Sequence, residues 1–131
     1  MKQQRLLLVE DEKLIARAYQ LALEKEGYLV DLVYDGQQAL SAMDTCTYDL
    51  ILLDLILPHI DGFELMQRKN TQGACKNTPI IVLSNLGQET DIAKAKELGA
   101  VNYLVKADHS LNDVLRIVKR TLEKHQDRGN E

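Results

Sequence analysis

Short apolar segments recur along this chain and are separated by longer stretches with helical periodicity. Five segments are rich in aliphatic residues, and they cover residues 6–9, 29–33, 50–53, 80–83 and 101–105. Most of their positions are apolar without the alternation of a half-exposed strand, which is typical of strands buried on both faces in a parallel sheet. We therefore predict five buried strands.

The stretches between these segments supply helices that can cover both faces of a sheet. In the first and the last stretch, apolar residues fall on one helical face: Leu14, Ile15, Ala18, Tyr19 and Ala22, and Leu111, Val114, Leu115, Val118 and Leu122. Gly27 and Gly99 are helix stop signals just before strands. Five strand–helix repeats predict an α/β fold, a doubly wound five-stranded parallel sheet with five helices, because each right-handed crossover lays its helix on one face.

The pattern fits a single domain, which we assign to residues 1–124 of the 131. Residues 125–131 lose the periodicity and turn polar, so we interpret them as a C-terminal tail or the stub of a linker. The helix over residues 89–98 has the thinnest apolar face, and it buries little surface that would resist displacement. It is predicted to be the most easily displaced helix.

Composition removes several classes of function. The chain has 20 acidic and 16 basic residues and a net charge of -4, which argues against direct binding of nucleic acid. No apolar run is long enough to cross a bilayer, and the amino terminus does not resemble a signal peptide, so we expect no membrane association and a cytoplasmic location. Cys46 and Cys75 stand alone in the sequence, and we expect ordinary reduced thiols.

Polar side chains follow four of the five predicted strands, at the edge of an open α/β sheet where ligands bind. Glu10 and Asp11 follow the first strand, Asp54 the third, Ser84 closes the fourth, and Lys106 follows the fifth. Carboxylates gathered at one edge repel one another, and a hard divalent cation such as Mg²⁺ takes oxygen ligands of this kind. A carboxylate nucleophile, a metal, an amine and a hydroxyl are the parts that phosphoryl transfer needs.

Four sequence stretches, in order and spacing, resemble the response-regulator receiver domain of two-component systems. They are Leu-Leu-Val-Glu-Asp-Glu near the amino terminus, Asp-Leu-Ile-Leu-Pro-His-Ile-Asp-Gly-Phe-Glu from Asp54, Val-Leu-Ser-Asn around Ser84 and Tyr-Leu-Val-Lys ending at Lys106. The resemblance covers nearly the whole chain. It implies a flavodoxin-like strand order of 2-1-3-4-5.

The resemblance also implies a role for each site residue. Asp54 would be the phosphoacceptor, and Ser84 and Lys106 would contact the bound phosphoryl oxygens. The Mg²⁺ ligands would be Asp11 directly, Glu10 through water, Asp54, and Ile56 through its backbone carbonyl. Ser84 and Tyr103 would act as switch residues: the hydroxyl of Ser84 would move toward the phosphoryl group, and Tyr103 would swing inward and change a partner surface.

Partners follow from the same resemblance. The phosphoryl donor would be a sensor histidine kinase or a histidine phosphotransfer protein, and the recipient of the signal would be a downstream effector protein, since no output domain is evident in this sequence. The chain would be a signalling switch, not an enzyme acting on a separate substrate. We expect a monomer or a weak dimer.

Two departures from the family pattern and two apolar positions near the site carry expectations of their own. Ala107 stands where the family usually has proline after the lysine, so we expect a trans peptide bond and a rearranged loop. Asn85 stands in place of a small residue and could crowd the site or add a hydrogen bond. Ile56 and Leu86 are apolar at positions that influence access of the attacking water, so we expect slow loss of the phosphoryl group.

Three other functions remain open at this level. An aspartyl phosphatase of similar topology would need a general acid two residues after its nucleophile, where this chain has Ile56. A flavin carrier would need neutral glycines and hydroxyls after the first strand, where this chain has acids. In a binding module independent of phosphorylation, the acidic cluster would be superfluous.

Overall fold

Strands and helices alternate along the chain in a computed structural model that describes residues 3–71 and 75–129. The strands are β1 (Arg5–Val9), β2 (Leu29–Val33), β3 (Leu50–Leu53), β4 (Ile80–Ser84) and β5 (Asn102–Val105). The helices are α1 (Lys13–Lys25), α2 (Gly36–Met43), α3 (Gly62–Thr71), α4 (Glu89–Glu97) and α5 (Leu111–Gly129). The predicted succession of elements is confirmed.

The five strands form one parallel sheet in the order β2-β1-β3-β4-β5. This is the predicted doubly wound, flavodoxin-like arrangement. The strand order reverses between β1 and β3, which are neighbours in register from Leu6 beside Leu50 to Val9 beside Leu53. A crevice therefore opens beyond the carboxyl ends of these two strands.

Each face of the sheet carries its own apolar core. On one face, leucines of β1 and β3 pack with α1 and α5 through residues such as Leu23 and Val118. On the other face, the alternate residues of the same strands pack with α2, α3 and α4. All four residues of β3 are fully buried, because helices cover the strand on both sides. This explains the unbroken apolar run that precedes Asp54.

The helix α4 is the most weakly packed of the surface helices. Within its span only Ala95 is buried, whereas α1 buries Ala16, Tyr19 and Leu23. A further contact of α4 is a cation–π interaction, in which the ammonium of Lys94 lies 4.4 Å from the centre of the Phe63 ring. The thin apolar face that the sequence predicts is thus present, and it keeps the cost of displacing this helix low.

The two cysteines contradict the expectation of separate reduced thiols. The structure joins Cys46 and Cys75 in a disulfide, with their Cα atoms 5.2 Å apart. Cys46 lies between α2 and β3 and Cys75 lies between α3 and β4, so both belong to helix-to-strand connections at the amino-terminal edge of the sheet. Their separation of 29 residues hides this proximity in the sequence.

Helix α5 extends to Gly129 and includes part of the segment that the sequence marks as a polar tail. Its start is fixed by a reciprocal capping arrangement, in which Ser110 Oγ accepts from the Asp113 N–H and Asp113 Oδ2 accepts from the Ser110 N–H. The assignment of residues 125–131 to a linker stays a prediction. Among the helices in the described part of the chain, none combines the length and hydropathy needed to span a membrane.

The connection from β5 to α5 contains Ala107, which stands in place of the family's usual proline. Residues Lys106–Asp108 form a short 3-10 turn, and no peptide bond among the described residues is cis. The predicted trans bond after Lys106 is confirmed. Lys106 thereby starts the turn directly at the end of β5, with its side chain at the carboxyl edge of the sheet.

Gly62 lets the start of α3 approach the backbone that carries Asp54. A Cβ at this position would lie 2.6 Å from Leu55 Cα and 2.9 Å from the Asp54 carbonyl oxygen. The same glycine donates its N–H to the Leu55 carbonyl at 2.9 Å. The start of α3 and the end of β3 are therefore in backbone contact.

We expect Gly62→Ala to lower the free energy of unfolding by about 1–3 kcal/mol, because the added methyl group overpacks rigid backbone. Gly87→Ala is the matched control: a Cβ there would meet only the two methyl groups of Val105, at 3.4 and 3.6 Å. Urea denaturation of both variants measures the difference. Equal stability of the two variants would contradict the close approach at Gly62.

Candidate functional site

Three carboxylates meet at the carboxyl ends of β1 and β3. One oxygen from each of Glu10, Asp11 and Asp54 lies within 4.8 Å of the other two. Glu10 and Asp54 are 2% and 5% exposed, whereas Asp11 is open to solvent. The predicted acidic cluster is thus brought together, with two buried members and one accessible from outside.

Asp54 is held in a fixed orientation by donors on each of its carboxylate oxygens. Its Oδ1 accepts from Ser84 Oγ at 2.8 Å and from the Ile56 N–H at 3.1 Å. Its Oδ2 accepts from Lys106 Nζ at 2.9 Å. The carboxylate is therefore presented to the crevice by groups from three different strand ends.

The parallel ladder explains why these residues meet. The Asp54 N–H donates to the carbonyl of Val9, the last residue of β1, at 3.0 Å, and so the pairing with β1 continues one residue past the end of β3. Ser84 lies beside Val105 in the β4–β5 register, which sets the next residue, Lys106, at the same edge. Strands that end in register deliver their terminal side chains to one place.

Lys106 is shared between two acids. Its ammonium donates to Asp54 and also to Glu10, and all three side chains are at least nine-tenths buried. One positive charge therefore faces two carboxylates in a region of low dielectric. The attraction holds the ammonium in place, and the excess negative charge leaves the cluster receptive to a further cation.

The proton affinities of the cluster reflect this imbalance. Burial raises the pKa of Glu10 to about 7; the hydrogen bond from Lys106 acts against burial, and the nearby charge of Asp54 adds to it. Burial acts to lower the pKa of Lys106, but its hydrogen bonds to Asp54 and Glu10 outweigh burial and raise the pKa above its ordinary value. The lysine stays charged, and Glu10 is the acid that binds a proton near neutral pH.

A chain of hydrogen bonds links Asp54 to Tyr103. Ser84 Oγ, which donates to Asp54, also accepts from the Leu86 N–H at 3.4 Å. The Leu86 carbonyl in turn accepts from the Tyr103 hydroxyl. Tyr103 is half-buried, and the loop between β4 and α4 therefore connects the carboxylate to an aromatic side chain on β5.

Several contributors to the site are backbone groups that sequence reasoning did not find. The Ile56 N–H bonds to Asp54, the Glu12 N–H donates to Glu10 Oε2 at 3.2 Å, and the Leu86 carbonyl receives Tyr103. A backbone group has the same chemistry at every residue, so only the path of the loop selects these three. Asn85, which we expected either to crowd the site or to add a hydrogen bond, is exposed.

The chain matches the response regulator receiver domain over residues 6–121. It belongs to this family. It is the receiver domain of response regulators, a signalling domain of two-component systems, and response regulators interact with histidine kinases and with effectors. The family assignment confirms the resemblance seen in the sequence.

Relatives of known name agree with this assignment. The chain is 40% identical over 127 residues to the transcriptional regulatory protein DltR of Streptococcus agalactiae, covering 97% of this chain and 56% of DltR. The chain thus spans about half the length of this curated relative.

Solved structures share the fold. The chemotaxis protein CheY4 of Vibrio cholerae superposes with a TM-score of 0.83 at 28% identity, covering 91% of this chain and 98% of CheY4. The phosphorylated cyanobacterial phytochrome response regulator RcpA superposes with a TM-score of 0.80 at 32% identity, covering 93% of each chain. Both cover nearly all of this chain, so its architecture is that of a receiver domain throughout.

The raised pKa of Glu10 predicts a pH dependence of stability in the metal-free protein. Its folded pKa of about 7 exceeds the ordinary 4.5, so its contribution to stability is fully present below pH 4.5 and is lost as the pH rises through 7. Relative to Glu10→Gln, the wild type should lose about 3 kcal/mol of unfolding free energy across this range.

Urea denaturation in the presence of a chelator, at several pH values, measures this difference between wild type and Glu10→Gln. Both proteins contain the same other titratable groups, and glutamine keeps an oxygen that can accept from Lys106. A constant difference between the two proteins from pH 4.5 to pH 7 would show that Glu10 keeps an ordinary pKa.

Proposed function

We propose that this domain accepts a phosphoryl group on Asp54 and transmits its presence through Ser84 and Tyr103. The observation that carries the proposal is the arrangement around Asp54: a buried carboxylate with a hydroxyl on one oxygen and an ammonium on the other. A purely structural ion pair would not require two further carboxylates beside it, since they weaken it. A phosphoryl-transfer site does require them, if they hold a metal.

The transfer makes one bond and breaks one. An Oδ oxygen of Asp54 forms a bond to phosphorus as the P–N bond to the imidazole of the donor histidine breaks. The electron pair of the broken bond stays on the imidazole nitrogen, which takes up a proton. In the unphosphorylated structure, Ser84 Oγ and Lys106 Nζ donate to the Asp54 carboxylate oxygens. After the transfer they can donate to the phosphoryl oxygens and neutralise part of their charge.

The chemistry of the acidic cluster fits Mg²⁺. The donors are oxygens only, two of the three carboxylates are buried, and one is accessible. Asp11, Asp54, Glu10 through water and the Ile56 carbonyl would hold the ion. When bound, it supplies positive charge that offsets the repulsion between the carboxylate and an incoming phosphoryl group.

The switch that we propose uses the hydrogen-bonded path from Asp54 to Tyr103. A phosphoryl group offers Ser84 a stronger acceptor, and Ser84 is bonded to the Leu86 N–H on the loop that leads into α4. The Tyr103 hydroxyl donates a hydrogen bond to the carbonyl of Leu86. Because α4 is weakly packed, a few kcal/mol of preference suffices to shift its position and change the surface that it forms with β5 and α5.

The remaining assignments are proposals of the same kind. The donor is a sensor histidine kinase or a histidine phosphotransfer protein, the recipient is a downstream effector protein, and the location is cytoplasmic. The domain catalyses its own phosphorylation and slow dephosphorylation, and it acts as a monomer or a weak dimer. Residues 1–124 form the receiver domain, and residues 125–131 form a tail or linker.

Asp54→Asn should abolish phosphorylation, because an amide oxygen is a poor nucleophile and the bond it would form is not stable. With a small-molecule phosphoryl donor and Mg²⁺, intact-mass spectrometry should find one phosphoryl adduct on the wild type and none on this variant. Asp44→Asn, at an exposed aspartate beyond the end of α2, is the matched control and should be modified like the wild type. Chelation of the metal before the donor is added should prevent the adduct on the wild type and on Asp44→Asn. A wild type without adduct would indicate a binding module that works without phosphorylation.

The phosphorylated protein should outlast the time scale of seconds, because the apolar side chains of Ile56 and Leu86 cannot orient a water. Ile56 is 52% exposed at the rim of the site, so its side chain can be replaced without disturbing the core. Ile56→Asn should shorten the lifetime about tenfold, a change of about 1.4 kcal/mol in the barrier. Ile56→Val keeps the rim apolar and should decay like the wild type. Decay within seconds in the wild type would refute this explanation.

A further inference from the structure

The disulfide lies at the edge of the sheet opposite to the phosphoacceptor. Cys46 precedes β3 and Cys75 precedes β4, whereas Asp54 and Ser84 lie at the far ends of these same strands. Cys75 is 3% exposed, and Cys46 is only partly buried. Cys46 is thus the more accessible residue of the pair, and Cys75 is the more sheltered one. This asymmetry is the one needed for stepwise exchange with a small disulfide.

The surroundings of the pair are polar and partly cationic. Thr78 Oγ1 lies 3.5 Å from Cys46 Sγ and is in reach of the Tyr48 carbonyl at 3.4 Å. A cavity of about 20 Å³ is lined by Leu40, Met43, Asp44, Arg68, Lys69 and Cys75. Cys75 thus shares the lining of this cavity with Asp44, with the buried Lys69 and with Arg68, whose guanidinium pairs with Glu64.

Lys69 is a buried lysine in the lining of this cavity. Its side chain is buried, and its ammonium donates to the carbonyl of Lys76 at 3.1 Å, the residue directly after Cys75. The lysine thus fixes the backbone next to the sulfur. Cys75 is thereby held in place for a bond to Cys46, with the Cα spacing of 5.2 Å that a disulfide requires.

We propose that Cys46 and Cys75 form a reversible redox pair that exchanges with low-molecular-weight disulfides and stabilises the fold when oxidised. The Cys46 thiolate attacks the small disulfide, forms a mixed disulfide and releases one small thiolate. The Cys75 thiolate then attacks the Cys46 sulfur and releases the second. Two protein thiols become one disulfide, the small disulfide becomes two thiols, and the two protons pass to the released thiolates.

Oxidation closes a covalent ring over the central part of the domain. The ring runs from residue 46 to residue 75 and contains β3, Asp54 and all of α3. Such a ring restricts the unfolded chain much more than the folded one, in which the two Cα atoms are already at bonding distance. The redox state of the pair is thus expected to set the stability of the segment that carries the phosphoacceptor, from the edge of the sheet farthest from it.

The test compares oxidised and reduced wild-type protein. Treatment with glutathione disulfide should remove two hydrogens from the intact mass, link the peptides that contain the two cysteines, and raise the thermal midpoint by roughly 10 °C over the reduced protein. A thiol reductant should reverse all three changes. Cys46→Ser is the control and should show no redox-dependent change of midpoint.

Single-cysteine variants test which of the two thiols reacts first with glutathione disulfide. Cys75→Ala should accumulate a glutathione adduct on the accessible Cys46, whereas Cys46→Ser should be modified much more slowly, because its remaining thiol is buried. Disulfide-linked dimers, persistent glutathione adducts on the wild type, or equal thermal midpoints of the two redox forms would each overturn the proposal.

Discussion

The ammonium of Lys106, placed between the carboxylates of Glu10 and Asp54, holds together the edge of the sheet where the polar side chains converge. Burying charges costs several kcal/mol per ion unless good partners replace the water. Here the ammonium of Lys106 replaces water as the partner of both acids, and hydrogen bonds from Ser84 and from backbone N–H groups provide further partners. The arrangement leaves one negative charge in excess. A cluster optimised for stability alone would not retain it.

This edge of the sheet combines firmly packed strands with a weakly packed loop and helix. The strands beneath it are buried on both faces, so the positions of Asp54 and Ser84 follow from the ladder. The loop after β4 and the helix α4 are held instead by Leu86, Tyr103 and a few polar contacts. Charge introduced at the ends of these strands would therefore be accommodated by movement of the loop and of α4, where little apolar surface resists a shift.

The opposite edge of the sheet has a different character. Arg5 bonds to Asp31, which also accepts from the Tyr48 hydroxyl, and these contacts connect β1, β2 and the segment before β3. The disulfide lies close by. Burial raises the pKa of the Tyr48 hydroxyl to about 12, with its bond to Asp31 adding to this, so the tyrosine remains a donor throughout the ordinary pH range. Stabilising contacts are thus gathered away from the edge that carries the candidate chemistry.

The sequence alone determined the fold class and the membership of the acidic cluster. Both depend on local information: unbroken apolar runs such as the one before Asp54 predict strands buried on both faces, and parallel strands deliver the residues that follow them to one edge. The family resemblance then supplied roles for Ser84, Lys106 and Tyr103. The strand and helix pattern was confirmed in order, including the thin apolar face of α4.

Tertiary structure alone decided what depends on distance between remote parts of the chain. The pairing of Cys46 with Cys75 was missed because 29 residues separate them in the sequence. Only the parallel pairing of β3 with β4 brings together the two loops that precede these strands. The raised pKa of Glu10 follows from its burial and from the nearby charge of Asp54, which together outweigh the hydrogen bond from Lys106, 96 residues away. The path through Leu86 uses backbone groups, which carry no signal in the sequence. Side-chain identity can be read along the chain, but burial, shared charge and backbone contacts exist only once the chain has folded.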